Sequence, residues 1–169
     1  MKTIYLVRHG EAQDDVEDLY GGSADHNPTG KGLLEAGEFA QTFKDKNIEV
    51  IISSPSKRAA NPAQIIGKIL DVLVEFEDGL RECDRYGVLT GMKKAEAREK
   101  YPEVVKALEN DEPVEGSEPL EDFKKRVFST LERLWNRQEQ NILAVTHGGF
   151  IRFVLGLSWG QFGMGIMVG

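Results

Sequence analysis

Cysteine is nearly absent. The single Cys83 leaves no internal disulfide to staple the 169-residue chain, and with only three histidines beside it a Cys/His zinc site is hard to build. No run of about 18 apolar residues exists that could span a bilayer. The most apolar stretch, 142–169, carries Arg152 as its only fully charged side chain, but Gly148, Gly149, Gly156, Gly160, Gly163 and Gly165 break it. It reads as a buried strand followed by a core helix. Basic charge is also short: Lys+Arg number 21 against 28 Asp+Glu, a net charge of −7. Such a chain repels nucleic acid and anionic membrane unless its cations gather in one place. The opening MKTIYLVRHGE is too short in apolar residues and too soon charged to serve as a signal-peptide core, which predicts a cytoplasmic protein. Internal repeats, low-complexity linkers and composition breaks are lacking too.

What is present suits one globular domain over 1–169, large enough to bury roughly 68–70% of the surface its unfolded chain exposes. The chain is 40% hydrophobic and 29% charged, too apolar for a disordered one. Short β-branched runs at Thr3–Val7, Val50–Ser53, Val72–Phe76 and Ile142–Thr146 do not alternate in polarity, as expected of parallel strands buried on both faces. Thr29 is a plausible N-cap for a helix with Leu33, Ala36, Ala40 and Phe43 on one face. A second helix, entered through Pro119, carries Leu120, Phe123, Val127, Leu131 and Leu134 at spacings of three and four. Strands alternating with helices predict an α/β fold with a mostly parallel sheet covered on both faces. The stretch about 79–119, punctuated by Gly87, Gly91, Pro102, Pro113 and Gly116, reads as a mainly helical excursion over the sheet edge.

Two segments look alike: Ile4-Tyr5-Leu6-Val7-Arg8-His9-Gly10 and Ile142-Leu143-Ala144-Val145-Thr146-His147-Gly148. Each is an apolar strand running into His-Gly, and open parallel sheets bind ligands at the carboxyl ends of their strands. A glycine after each histidine suits close approach of backbone to a ligand. Either histidine alone is also readable as a structural residue bonded to a nearby carbonyl. Arg8 beside the first, and Arg58 after the strand end at Ser53, add guanidinium forks that fit phosphoryl oxygens. Together the four describe a phosphate pocket in an otherwise acidic protein. Gly30-Lys31-Gly32 completes no P-loop, no G-x-G-x-x-G follows the first strand, and the cations between Lys93 and Arg137 interleave with Glu as on a solvated helix surface.

RHGE at 8–11, SSPSKRA at 53–59, LRE at 80–82 with YGVLTG at 86–91, and VTHGG at 145–149 resemble the histidine phosphatase superfamily, also called phosphoglycerate mutase-like, over nearly the whole chain. The resemblance implies a three-layer α/β/α domain, a phosphohistidine mechanism with no metal or other cofactor, and a small phosphorylated substrate. In its terms His9 is the nucleophile, Arg8, Arg58 and His147 hold the phosphate, with His147 part of the catalytic set, and Glu82 donates the proton. Read without the resemblance, Glu82 is equally a solvated carboxylate in a charged loop.

Three positions depart from the family pattern: Asp15 where relatives usually carry Asn, Gly21 where Gln is frequent, and Pro62 where Thr is usual. Asp15 either faces the phosphate and repels it or turns outward with the acidic loop Glu11 to Asp18. Asn61-Pro62 is itself a good N-cap and N1 pair, so a helix kinked or restarted there is expected. One residue more than in many relatives separates Glu82 from Tyr86, which makes Asp84 a rival for the proton-donor role. Relatives often close with a further strand beyond a segment like 161–168, where this chain ends. The expected activity is a phosphomonoesterase acting on a small phosphorylated metabolite. The alternatives are a cofactor-dependent phosphoglycerate mutase, a non-catalytic phosphate-binding relative, and a phosphatase of protein phosphohistidine.

Overall fold

A computed structural model describes residues 2–156 and, for the backbone, 165–168. Five strands, β1 (Thr3–Arg8), β2 (Val50–Ser53), β3 (Val74–Phe76), β4 (Asn141–Thr146) and β5 (Gly165–Val168), form one sheet in the order β3-β2-β4-β1-β5. Every pairing is parallel. The helices are α1 (Gln13–Val16), α2 (Gly30–Gln41), α3 (Lys57–Leu70), α4 (Lys94–Lys100), α5 (Pro102–Glu109), α6 (Leu120–Trp135) and α7 (Gly148–Gly156).

Alternate strand residues supply the two faces. Ile4, Leu6, Val50, Ile52, Ile142 and Ala144 pack with Phe123, Val127 and Leu131 of α6 and Phe150, Ile151 and Val154 of α7. Tyr5, Val7, Ile51, Leu143 and Val145 pack with Ala36 and Ala40 of α2 and Ala59, Ala63 and Ile66 of α3. The expected three-layer α/β/α arrangement is therefore the observed one. The stretch after residue 78 holds two single-turn 3-10 helices, Asp78–Leu80 and Gly87–Leu89, and the short α4 and α5. Leu89, Ala97, Val105, Leu108 and Val114 build a small core there, joined by Tyr20. Among the described residues no helix is long and apolar enough to cross a membrane.

Several boundaries differ from the sequence reading. Thr29 does cap α2, its hydroxyl accepting from Gly32 N–H at 3.0 Å, but Phe43 lies beyond the helix in a turn, edge-on to Tyr5. β3 starts at Val74 because Val72 N–H closes α3 on Gly67 O behind Asp71, which is left-handed at φ 56°. No restart occurs at Asn61-Pro62: α3 runs unbroken from its N-cap Ser56, with Pro62 buried inside it. Proline has no N–H to offer, so the Arg58 carbonyl loses its intrahelical donor. Leu120, expected on the buried stripe of α6, is 60% exposed. The backbone at 165–168 is a strand paired with β1, inside the segment expected to precede one.

The cations of α6 are not all surface decoration. Arg126, separated by more than 40 residues from the turn it grips, donates to the carbonyls of Gly79 (3.0 Å), Arg81 (2.8 Å) and Glu82 (3.3 Å). Glu118 accepts from its Nε and Nη2 at 2.9 and 2.7 Å. One half-buried guanidinium thereby sets the backbone that carries Glu82. Arg126→Met should lower the free energy of unfolding by about 2 kcal/mol, because its carbonyl partners are left unmade. The effect is read as a fall in the urea midpoint at constant slope; a loss below about 0.5 kcal/mol would mean that water replaces the guanidinium.

Candidate active site

β1 and β4 are paired in register up to Arg8 opposite Thr146, so His9 and His147 leave the sheet side by side. His9 N–H donates to Thr146 O at 3.1 Å, and the two imidazoles stand nearly edge-on with centroids 5.1 Å apart. His9 is 8% exposed and His147 fully buried.

Each ring is oriented by its partners. His9 Nδ1 lies 2.8 Å from Gly10 O; a carbonyl only accepts, so the proton sits on Nδ1 and the lone pair on Nε2. That lone pair accepts from Arg58 Nε at 3.2 Å. Burial holds the His9 imidazole below its ordinary value of 6.5, Gly10 O pulls the other way, and the charges of Arg58 and Arg8 lower it further. His147 is pushed well below 6.5, first by burial and then by Arg58 and His9. Its Nε2 is 2.8 Å from Ser54 Oγ, while its buried Nδ1 has no partner among the described residues.

Arg58, at the first turn of α3, is 2% exposed. Its Nη1 and Nη2 donate to Ala24 O and Gly22 O, both at 2.5 Å, which ties the loop after α1 to the histidines. Arg8 is half exposed and pairs with Asp15 at 3.5 Å. Asp15 therefore turns toward the cavity, its second oxygen accepting from Ala12 N–H at 2.9 Å. A pair this exposed is worth at most about 1 kcal/mol. Gly21 also has a structural reason: a Cβ there would meet Asp14 Oδ2 at 1.9 Å, and Asp14 Oδ1 is buried without a partner among the described residues.

Glu82 sits across the cavity, half-buried. Its Oε1 accepts from Cys83 N–H at 2.9 Å and its Oε2 from Gly149 N–H at 3.0 Å, at the start of α7. Partial positive charge at a helix N-terminus suits a carboxylate. A Cβ on residue 149 would meet Oε1 at 2.3 Å. Of the two glycines expected to let backbone approach a ligand, Gly10 leaves its room to Glu35 and the Gly32 carbonyl, 2.9 and 3.0 Å from a Cβ built there, and Gly148 faces the side chains of Arg152 and Arg8. Asp84 is engaged elsewhere, accepting from Ser23 Oγ (2.7 Å), Thr90 Oγ1 (2.8 Å) and Gly87 N–H (3.3 Å), and does not line the cavity.

The cavity is about 520 Å³. Arg8, His9, Arg58 and Glu82 line it together, and His147 stands behind His9. Sequence reasoning missed Arg85, Lys94 and Arg152, which also line it. Arg152 follows Gly148 by four residues, one helical turn, a spacing that was available as a signal once α7 was placed. Lys94 and Arg85 arrive through the 79–119 excursion, whose side-chain directions no local pattern reveals.

This arrangement has known counterparts. Residues 4–162 match the model of the histidine phosphatase superfamily, branch 1. The chain is 33% identical to phosphoserine phosphatase 1 of Hydrogenobacter thermophilus over 151 residues, 87% of this chain and 71% of that protein. It is 31% identical to the 2,3-bisphosphoglycerate-dependent phosphoglycerate mutase of Parvibaculum lavamentivorans, covering 88% and 76%. The α-ribazole phosphatase structure from Shigella flexneri superposes with a TM-score of 0.81 at 26% identity, over 96% of this chain and 80% of that one. The fold, the strand-end histidines and these matches agree: the chain belongs to branch 1 of the histidine phosphatase superfamily.

Proposed function

We propose that the protein is a metal-independent phosphomonoesterase that hydrolyses a small phosphorylated metabolite through a phosphohistidine. The observation that carries this reading is the bond from Arg58 Nε to His9 Nε2: a neutral, oriented imidazole nitrogen in direct reach of a cation able to hold phosphoryl oxygens. His9 Nε2 attacks phosphorus as the P–O bond to the alcohol breaks, and Glu82 gives its proton to the departing oxygen. Arg8 and Arg58 meet the charge of the transferring group, with the unpartnered Nδ1 of His147 available to one of its oxygens. Water then attacks the phosphohistidine, Glu82 takes up its proton, and inorganic phosphate leaves with His9 restored.

A mutase is the second reading, favoured by the similarity to the Parvibaculum enzyme. The two separate on product: release of inorganic phosphate supports hydrolysis, whereas transfer between hydroxyls of 3-phosphoglycerate without net release supports the mutase.

Rapid quenching with labelled substrate should trap a phosphoramidate on His9 that survives alkali and is lost in acid, and His9→Ala should not form it. An alkali-labile adduct, or turnover without one, would remove His9 as nucleophile.

The pH profile follows from the lowered proton affinity of His9. Protonation blocks attack, so the acid limb of phosphoenzyme formation should lie below the ordinary 6.5. A limb at or above 6.5 would contradict a buried, cation-flanked nucleophile.

Glu82→Gln should slow phosphoenzyme formation from an alkyl phosphate by about 10² to 10⁴, the usual worth of a positioned acid. From p-nitrophenyl phosphate, whose leaving group needs no proton, the loss should be far smaller. Single-turnover rates are required because Glu82 also acts in the second step. Equal slowing with both esters would make Glu82 a positioning group, and leaving-group sensitivity in Asp84→Asn would move the acid two residues along.

A further inference from the structure

The cavity has two unlike sides, divided by the first turns of α7. Positions 148 and 152 lie one turn apart and face the phosphate end: a Cβ at Gly148 would stand 3.2 Å from Arg152 Nη1 and 3.7 Å from Arg8 Cδ. Positions 149 and 153 form the neighbouring row. Gly149 N–H holds Glu82 Oε2 at 3.0 Å, and Phe153, one turn or about 5.4 Å further along, stands edge-on to Phe123 with ring centroids 5.5 Å apart. Leu120 lies three residues before Phe123 on the same face of α6, and its side chain is 60% exposed at the cavity mouth. A lone exposed leucine is unremarked on most surfaces. One that lines the same cavity as the partly buried Phe153, whose ring is backed by the buried Phe123, is a place for apolar ligand surface.

We propose that the alcohol released by this enzyme carries an extended apolar body, alkyl or aryl, that seats against Phe153 and Leu120 as it leaves past Glu82. The proposal rests on the phosphatase reading for which oxygen departs. The distribution of charge supports it. Arg85 and Lys94, at the same mouth, are already engaged by Asp111 and Asp18, and Arg152, which has no ion-pair partner among the described residues, lies on the phosphate side. Cys83 adds to the apolar side, since burial first, and Glu118 and Glu82 after it, push its thiol up to about 12 and keep it uncharged at neutral pH. A second anionic group on the alcohol would have to draw Arg85 or Lys94 away from these carboxylates.

Binding of non-hydrolysable phosphonates to the intact protein tests this without requiring turnover. By calorimetry, affinity should rise about threefold per methylene from methyl- through butyl- to hexylphosphonate, close to the worth of a buried methylene. Phenylphosphonate should exceed methylphosphonate by at least tenfold. The hexyl-to-methyl affinity ratio, taken within each protein, should collapse to about threefold in Leu120→Asp and fall by an intermediate amount in Leu120→Ser. A flat series in the unaltered protein overturns the proposal, as does tighter binding of 2-amino-3-phosphonopropionate than of butylphosphonate. The outcomes separate from those of the parent reading. A protein that shows the series but forms no phosphohistidine loses the phosphatase reading and keeps the apolar seat, and turnover with a flat series does the reverse.

Discussion

The spacing of hydrogen-bonded parallel strands, about 4.8 Å, sets the geometry of this site. Because Arg8 pairs with Thr146 and Ser53 with Val145, His9 and His147 leave β1 and β4 at one level, and Ser54 of β2, level with Thr146, stands one residue behind them. The contacts repeat across the row: His9 N–H to Thr146 O, Ser54 N–H to Val145 O at 2.9 Å, and Ser54 Oγ to His147 Nε2. A register slip of one residue in a parallel sheet would turn every core side chain to the other face. The apolar layers that lock the sheet therefore also lock the imidazoles. α3 starts a few residues past Ser54 and brings Arg58 over His9; α7 starts at Gly148 and brings its N–H groups to Glu82.

That row was legible in the sequence because it is local. An apolar, β-branched run ending in His-Gly is a short-range pattern, and its repetition needs no tertiary information. Arg58 was legible for the same reason, standing just past a strand end. Glu82 was not legible from its own surroundings, because its partner Gly149 is 67 residues away and the turn beneath it is held by Arg126 from a third element. The charge alternation of α6 correctly predicts a solvated surface for most of its cations and fails for Arg126, whose gripping contacts are all non-local. Asn61-Pro62 misled for a physical reason too: a good capping pair starts a helix only where none is already running, and Ser56 had begun α3 one and a half turns earlier.

An acidic loop lies over a cationic floor. Arg58 clamps the carbonyls of Gly22 and Ala24, Arg8 reaches Asp15, and Asp14 occupies the space that Gly21 leaves open. The loop is thus tied down by neutral carbonyl acceptors at its far end and by a weak, exposed ion pair at its near end. Burial of Arg58 is tolerable because its Nε, Nη1 and Nη2 each have an acceptor. Burial of the imidazoles first, and the Arg58 charge after that, lowers the proton affinity of both histidines, so the group that holds the loop also favours their neutral form.

The hydrogen bonds that orient His9 have another consequence. Gly10 O takes the proton-bearing nitrogen, and Arg58 Nε–H occupies the lone pair of the other, so in the free protein neither ring nitrogen is idle. An electrophile without anionic oxygens offers Arg58 nothing in exchange for that bond and meets a masked imidazole. On the proposed reading, Nε2 attacks only once Arg58 Nε–H has left it, and the oxygens of a phosphoryl group would offer that N–H another acceptor. Selectivity for phosphoryl donors would then begin in the resting hydrogen-bond pattern, before any pocket wall is touched.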